Sequence, residues 1–177
     1  MAHVTRRSAL ALLGLAGLGT AASAHTPYKQ WVVYRRKHLL IGCHRDDAEG
    51  YRVAKATAAF LVDHLPKSQA RVARAPAASR LASLLATDQL DLAVLDWETA
   101  RAIRQGEGIY AAFGRQEIGT LAMLDAAHCL VAHARFPDRH GSLVAETLIG
   151  SKIAPRAVQD TPPPCPWRPE TLAVLGR

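Results

Sequence analysis

The sequence predicts an α/β fold in which a mainly parallel, mixed sheet carries helices on both faces. The chain has 177 residues, of which 49% are hydrophobic and 21% charged, a balance that suits one ordinary globular domain. From residue 38 onward, short apolar runs alternate with stretches of helical periodicity. Such alternation builds a sheet of parallel strands that is covered by helices. With no internal repeat or linker in the pattern, we expect a single domain over residues 38–150.

The first strand–helix unit begins at His38–Gly42, a short apolar run that is stopped by a glycine. Asp46 stands three residues before Glu49, a spacing typical of a capping box at the start of a helix. Apolar residues then recur every three or four positions and end before Pro66. These observations predict a buried strand followed by an amphipathic helix.

The same pattern repeats twice. Strands are expected at Gln69–Arg74 and Leu90–Leu95, and helices at Ala77–Leu85 and Glu98–Gly106. The second half is less regular. There the sequence predicts strands at Tyr110–Phe113, Thr120–Leu124 and His128–Ala132, and a helix at Ser142–Ile149 that is entered from Asp138.

Residues 151–177 form a proline-rich C-terminal tail. Its segment Thr161–Pro169 contains five prolines, which break helices and cannot donate to the ladder of a sheet. We therefore expect an extended belt on the surface.

The first 24 residues predict an export signal. Arg6 and Arg7 precede the uncharged run Ala9–Gly19, and Ala22-Ser23-Ala24 provides the small residues of a cleavage site. The run is too short to span a bilayer, and the paired arginines favour the twin-arginine route of bacteria. The mature chain would begin at His25 in the periplasm, with residues 25–37 as an N-terminal extension and no membrane span.

The charge argues against a nucleic-acid-binding protein. The net charge of the chain is +7, and removal of residues 1–24 takes away two arginines and no acids, which leaves +5. The one basic cluster, Arg35–His38, has no interleaved aromatic residues on which bases could stack. A mild preference for anionic ligands follows from the positive field.

Several segments resemble a family of receptors. Leu40–Tyr51 and the helix after it are similar to the opening of periplasmic solute-binding proteins, and Leu84–Val94 resembles their helix-to-strand signature. Cys129–Ala134, followed by Phe136–Asp138, is similar to the TAXI-type receptors of TRAP transporters. Pro166–Thr171 resembles the Pro-x-His-Pro-Gly-Ala pattern of that family, with arginine in place of histidine.

The resemblance implies one lobe of a periplasmic-binding-protein-like fold, with a small solute as ligand and a membrane transporter component as partner. Receptors of this type close two lobes around the ligand, and the second lobe should interrupt the chain near Gly106–Gly114. Residues 107–127 replace that lobe here, so the chain is expected to be a one-lobe derivative. Cys43–Asp47 stands where the family has a glycine-rich ligand loop.

A ligand site is expected beyond the carboxyl ends of the strands, where the strand order reverses. If strand one lies between strands two and three, two strand–helix units contribute to this crevice. The expected ligand-binding residues are Cys43, His44, Asp46, Asp47 and Tyr51 from the first unit, and Asp96, Trp97 and Glu98 from the third. In the alternative interpretation, Asp46 and Asp96 only cap helices and Trp97 only packs.

The cysteine and histidine residues also suggest metal or thiol chemistry. Cys43, His44 and His25 could serve a periplasmic metal or redox accessory protein, and Cys43 before a helix could have a lowered pKa. In a second His/Cys patch, neighbouring side chains point to opposite faces of a strand, so they cannot bind the same metal ion. The patch comprises His128, Cys129, His133 and His140.

No catalytic motif accompanies Cys43, so neither an enzyme nor a bound metal or cofactor is expected. The leading prediction is an exported, non-enzymatic binding protein for a small, anionic ligand or a partner protein. With one lobe missing, Trp97 would be exposed as the anchor of an interface with another protein or a second copy. Two of the three cysteines could pair, and the sequence does not choose which.

Overall fold

The computed structural model describes residues 33–34 and 37–176. The export signal expected at residues 1–24, His25 and most of the extension 25–37 lie outside the described residues. All elements named below belong to the compact unit Arg35–Arg177.

The described residues form a sheet with helices and short 3-10 turns. The strands are β1 Leu40–His44, β2 Arg71–Ala75, β3 Leu92–Asp96, β4 Ile118–Met123 and β5 His128–His133. The helices are α1 Ala48–His64, α2 Ala78–Ala86, α3 Trp97–Gln105, α4 Asp138–Leu148 and α5 Pro169–Leu175. The 3-10 turns are Pro66–Ser68, Gly108–Phe113 and Arg156–Asp160.

The sheet is mixed, with strand order β2-β1-β3-β5-β4. β1 is parallel to both β2 and β3, while β5 is antiparallel to β3 and to β4. The parallel half follows from the helical crossovers α1 and α2, and the antiparallel half from the short turn that joins β4 to β5. The expected α/β class is confirmed, as is the position of strand one between strands two and three.

Each face of the sheet has its own apolar core. α1 and α4 cover one face, which includes the strand residues Ile41, Leu92, Val94 and Leu130. α2 and α3 cover the other face, which includes Ala93, Leu95 and Val131. Successive residues of a strand point to opposite faces, so two covered faces bury both sets. This arrangement explains the continuous apolar runs in the sequence.

The start of α1 differs by one residue from the prediction. Its N-cap is Asp47, whose Oδ1 accepts a hydrogen bond of 2.8 Å from the Gly50 N–H. Gly50 makes room for this cap, because a Cβ there would lie 2.0 Å from Asp47 Oδ2. Asp46 is exposed and pairs with Arg45 at 2.9 Å.

The strand expected at Tyr110–Phe113 is wrong, because this segment belongs to the 3-10 turn Gly108–Phe113. Gly108 and Gly114 have φ angles of 57° and 66°, in the left-handed region that glycine favours, and they turn the chain at both ends of the run. Residues 107–127, where a second lobe was expected to be missing, thus hold this turn and β4 of the same sheet.

The tail also differs from a surface belt. Cys165 is 1% exposed, and Trp167 forms a bridge to Thr120 along the outer edge of β4. The Thr120 N–H donates to the Pro166 carbonyl at 2.8 Å, and the Arg168 N–H donates to the Thr120 carbonyl at 3.0 Å. Pro166 has no N–H to donate, but its carbonyl can still accept a hydrogen bond. The proline-rich tail can therefore pair with β4 and cover this edge of the sheet.

Arg168 fixes the tail to the lobe from a buried position. Its guanidinium donates to the carbonyls of His133 and Phe136 at 2.7 and 3.0 Å, and it pairs with Glu170 and Asp138. α5 then begins at Pro169, a residue that is well suited to the first helical position. None of the described helices combines the length and the apolar composition that crossing a bilayer requires.

Candidate functional site

One edge of the sheet gathers most of the residues that the sequence singled out. The carboxyl ends of β1 and β3 lie here together with the start of β5, since Asp96 is paired in register with His128. α3 begins directly after β3, and α1 begins after a three-residue turn that follows β1, so the first turns of both helices lie at the same edge. We call this the carboxyl edge.

A groove of about 700 Å³ opens at the carboxyl edge beside α3. Its lining comprises Asp96, Trp97, Glu98, Arg101, Ala126, Ala127 and Pro162, Pro163 and Pro164. Asp96, Trp97 and Glu98 were expected at such a site from the sequence. The turn between β4 and β5 and the three prolines of the tail were not, because nothing local in the sequence shows that they reach α3.

Asp96 and Trp97 serve the fold as well as the groove. Asp96 Oδ1 accepts a hydrogen bond of 2.8 Å from the Thr99 N–H, so the interpretation of Asp96 as a helix cap is correct. Trp97 is half-buried and packs on the core under α3. Its indole N–H is buried and has no hydrogen-bond partner among the described residues.

Glu98 and Arg101 supply the exposed charges of the groove. They lie three residues apart on α3, and both side chains are exposed. Neither forms an ion pair with any of the residues that the structure describes. The groove therefore offers one cationic donor, Arg101, and two carboxylates, Glu98 and Asp96, next to apolar proline, alanine and indole surface.

His128 lies between two carboxylates at the same edge, with its side chain 8% exposed. Its Nδ1 is 3.0 Å from Asp125 Oδ2, and its Nε2 is 3.5 Å from Asp47 Oδ2. The sequence indicated His128 only as a member of the second His/Cys patch, whose side chains have the chemistry of metal ligands. Because the carboxylates contact opposite nitrogens of the ring, they do not converge on one ion. The cluster instead connects the start of α1 to the turn before β5.

Asp125 holds that turn together. It accepts hydrogen bonds of 2.7 Å from the N–H groups of both Ala127 and His128. Partial burial raises the pKa of Asp125, but these bonds and the His128 ring outweigh it, and the net effect lowers the pKa of the carboxyl. Ala127 lines the groove, and its carbonyl accepts a hydrogen bond of 3.2 Å from the backbone N–H of Trp97. Asp125 thereby supports one wall of the groove.

The remaining polar candidates of the first loop lie on the β2 side. Tyr51 lies under the guanidinium of Arg74, whose central carbon is 4.5 Å from the ring centroid. His44 Nε2 is 4.0 Å from Asp46 Oδ2. His44, Asp46 and Tyr51 do not line the groove, so the expected set is divided along the edge, with Asp47 beside His128 between its two parts.

Cys43 does not contribute to the surface of this edge. Its side chain is fully buried in the core under α1, and burial raises the pKa of the thiol to about 11, against the opposing charge of Arg74. The structure therefore contradicts both predictions for Cys43, namely a place in the ligand crevice and a lowered pKa of its thiol. Cys129 and Cys165 are also buried free thiols, so none of the three cysteines forms a disulfide bond. Burial raises the pKa of both thiols.

Among the described residues, no three His, Cys, Asp or Glu side chains are placed to hold a metal ion. Cys129 points to the face opposite His128, as the strand spacing predicts. His25, the other residue considered for copper, lies outside the described residues.

Comparison with known proteins gives no family assignment: the chain matches no protein-family model, and a search of curated proteins gives no match. The resemblance to TAXI-type receptors therefore depends on the sequence segments quoted above. The functional proposal below is therefore argued from the groove and the side chains of the carboxyl edge.

Proposed function

We propose that this protein is an exported, non-enzymatic binding protein, a one-lobe relative of TAXI-type solute receptors. Its ligand is a small organic acid with an apolar body, held in the groove at the carboxyl edge. The groove itself is the observation that carries the proposal. Its volume of about 700 Å³ lies within the range of roughly 300–1,000 Å³ that is typical of small-molecule sites.

The lining explains the choice of ligand. Trp97 and the prolines Pro162–Pro164 offer a rigid apolar surface for the body of the ligand. Arg101, which has no ion pair among the described residues, can donate to a carboxylate. Glu98 can accept a hydrogen bond from a hydroxyl, but its charge and that of Asp96 disfavour ligands with several negative charges.

The open shape of the groove limits affinity. A receptor with two lobes encloses its ligand, whereas a groove on one lobe leaves part of the ligand in water, and sites that bind tightly bury most of the ligand surface. At roughly −0.3 kcal/mol per non-hydrogen atom, a ligand of about 15 atoms binds with a Kd near 1 mM. Screening should therefore use millimolar ligand.

The test is a thermal-shift screen of the full chain with aryl and alkyl monocarboxylates, each compared with its neutral amide. The carboxylates should raise the Tm more than the amides do. Arg101→Gln should abolish this difference, while Arg139→Gln, the same change at an exposed position on α4, should preserve it. Equal shifts with acids and amides, or equal loss in both variants, would contradict the proposal.

The alternative of a metal or redox accessory protein has less support. It needs the Cys43 thiol, which is buried with its pKa raised to about 11. A titration with Cu²⁺ or Zn²⁺ in the same screen covers His44 and His25. A Tm increase with either metal and none with the acids would favour this alternative over the groove.

A further inference from the structure

A second surface lies at the opposite side of the sheet from β4, along β2. Within the part of the chain that the structure describes, β2 pairs with β1 alone and forms an edge of the sheet. We propose that this edge, which we call the basic edge, binds an acidic polypeptide segment in an extended conformation. The segment would add to the sheet as a further strand, by backbone hydrogen bonds and by charge.

The backbone of β2 has hydrogen-bonding groups to offer. The Arg71 N–H donates to the Leu39 carbonyl at 2.9 Å, and the Ala75 carbonyl accepts from the Arg45 N–H at 2.8 Å. In a parallel pair the bonding residues alternate, so Arg71, Ala73 and Ala75 turn their backbone groups toward β1. Val72 and Arg74 turn theirs outward, and these groups have no backbone hydrogen bond to other elements among the described residues.

The charge of this edge is mainly positive, and the Asp46 carboxylate of the preceding loop offsets only part of the charge of Arg74. No carboxylate occurs in the sequence between Asp63 and Asp88. Four exposed cations lie in that interval, on and beside β2: Lys67, Arg71, Arg74 and Arg80. None of the four is ion-paired to a carboxylate within the described residues.

The two arginines of the strand flank the path of an added strand. Arg71 and Arg74 are three residues apart, so their side chains emerge on opposite faces of the sheet. Arg74 is also held in place, with its guanidinium over the Tyr51 ring and donating to the Arg45 carbonyl at 3.3 Å. An incoming strand with alternating acidic residues carries them all on one face, so it meets one of the two arginines directly and the other cations of the edge through longer-range attraction.

The same features disfavour other partners. A second copy paired through β2 would place Arg71 and Arg74 of both copies along one interface, where like charges repel. Phosphate groups of lipids or nucleic acids would use the charges but leave the outward N–H and C=O groups of Val72 and Arg74 unused. Charged edge strands can also simply prevent aggregation, and in that case no peptide would bind.

The test uses two fluorescent decapeptides of equal charge, (Thr-Glu)5 and (Pro-Glu)5, with the full chain. The second peptide lacks half of the backbone donors, and its prolines favour the polyproline II conformation over the β conformation that strand addition requires. Fluorescence anisotropy should show (Thr-Glu)5 binding about tenfold more tightly, with both affinities falling as salt is added. In hydrogen exchange, (Thr-Glu)5 should protect the amides of Val72 and Arg74, while that of Ala73 changes little.

Matched variants separate the two contributions. Arg71→Gln/Arg74→Gln should weaken binding by about fivefold, whereas Arg115→Gln/Arg139→Gln, with the same loss of charge elsewhere, should weaken it by less than twofold. Val72→Pro removes one outward N–H without removing charge and should abolish the preference for (Thr-Glu)5. Circular dichroism checks that each variant is folded, and if Val72→Pro is not, the exchange protection at Val72 and Arg74 decides.

Equal affinity for the two peptides, or equal effects of the two double variants, would overturn the proposal. So would the absence of peptide binding, which would indicate a protective edge. Binding to phosphatidylglycerol vesicles without binding to (Thr-Glu)5 would assign the charge to a lipid surface instead.

Discussion

At the scale of single residues, the aspartates of the carboxyl edge each serve more than one contact. Asp47 caps α1 through Oδ1 and faces His128 through Oδ2. Asp125 accepts from two backbone N–H groups and from the His128 ring. Short carboxylates are suited to this because they reach neighbouring backbone donors without spanning a wide gap. The residues that shape the edge are therefore also residues that stabilise the fold.

The lowered pKa of Asp125 predicts a defined pH dependence of stability. Its carboxylate stabilises the folded state at pH values above about 4, the usual pKa of an unfolded aspartate, and this contribution is lost as pH falls through the lower pKa of the folded state. Asp125→Asn should cost about 1–2 kcal/mol at pH 7, since hydrogen bonds to a charged acceptor are replaced by weaker ones.

Urea unfolding between pH 2.5 and pH 7 measures this effect. The difference in unfolding free energy between the wild type and Asp125→Asn should shrink below pH 4. Asp63→Asn, at an exposed position of α1, serves as the control and should show little difference at any pH. A difference for Asp125→Asn that is the same at pH 2.5 as at pH 7 would show that the charge of Asp125 is not what stabilises the turn.

How far the sequence predicts individual residues depends on local geometry. Asp96 was identified because a carboxylate before an amphipathic helix is a strong signal. Whether Asp46 or Asp47 is the N-cap of α1 depends on the backbone conformation of the turn before the helix, and two adjacent aspartates in a sequence do not indicate that conformation. Cys43 was placed at the surface, although a sheet with helices on both faces buries its strand residues on either side. The predicted fold class therefore already indicated that Cys43 is buried.

At the scale of elements, the tail shows what a single buried arginine can do. Arg168 joins the segment before α5 to the end of β5 and the start of α4 by hydrogen bonds to two carbonyls and contacts with two carboxylates. Glu170 is 95% covered at its side chain, and its Oε2 has no hydrogen-bond partner among the described residues. Gly141 permits this packing, because a Cβ there would lie 2.1 Å from Glu170 Oε1.

Arg168→Met should therefore be strongly destabilising. It leaves the Glu170 carboxylate buried without its cation, and breaking a buried ion pair costs about 3–5 kcal/mol. Arg168→Met/Glu170→Gln should recover at least half of that loss, because the orphaned charge is removed. Chemical denaturation of the two variants and the wild type measures both effects. A loss below 1 kcal/mol for the single variant, or no recovery in the double variant, would show that the pair does not hold the tail.

The elements themselves were predicted best where the pattern is longest. The three strand–helix units up to Gln105 agree with the prediction within a few residues, because helical periodicity over several turns is a robust signal. The apolar run at Tyr110–Phe113 is too short to distinguish a strand from a 3-10 turn, and only its flanking glycines indicated the turn. α5 was missed because prolines on either side of Trp167 and Arg168 concealed a seven-residue helix.

At the scale of the whole molecule, the sequence predicts the layers but not the groove. Alternating strands and helices are sufficient to indicate a covered sheet, and its strand order then defines the edge at which ligands collect. The groove needs Pro162–Pro164 of the tail beside Trp97 of α3, residues that are more than sixty positions apart in the chain. Contacts at that separation depend on tertiary packing, for which a single sequence gives no direct signal.

The state of the cysteines bears on the proposed export of the protein. All three are buried free thiols, and burial raises the pKa of Cys43 and of Cys165 to about 11. A fold that is held together without disulfides can form in a reducing cytoplasm. The twin-arginine route, which the pair Arg6-Arg7 favours, exports proteins that have already folded there. The two features agree with the proposed order of events, folding first and export second.

We therefore expect the exported protein to begin at His25 and to be folded before it crosses the membrane. Arg6→Lys/Arg7→Lys keeps the charge of the signal but removes the twin arginine, and it should leave the full chain in the cytoplasm with its thiols protected from iodoacetamide until urea is added. N-terminal sequencing of the periplasmic fraction and mass spectrometry of the labelled protein measure both outcomes. Efficient export of the lysine variant would indicate the general route, and a wild-type chain that stays cytoplasmic with Met1 intact would refute export altogether.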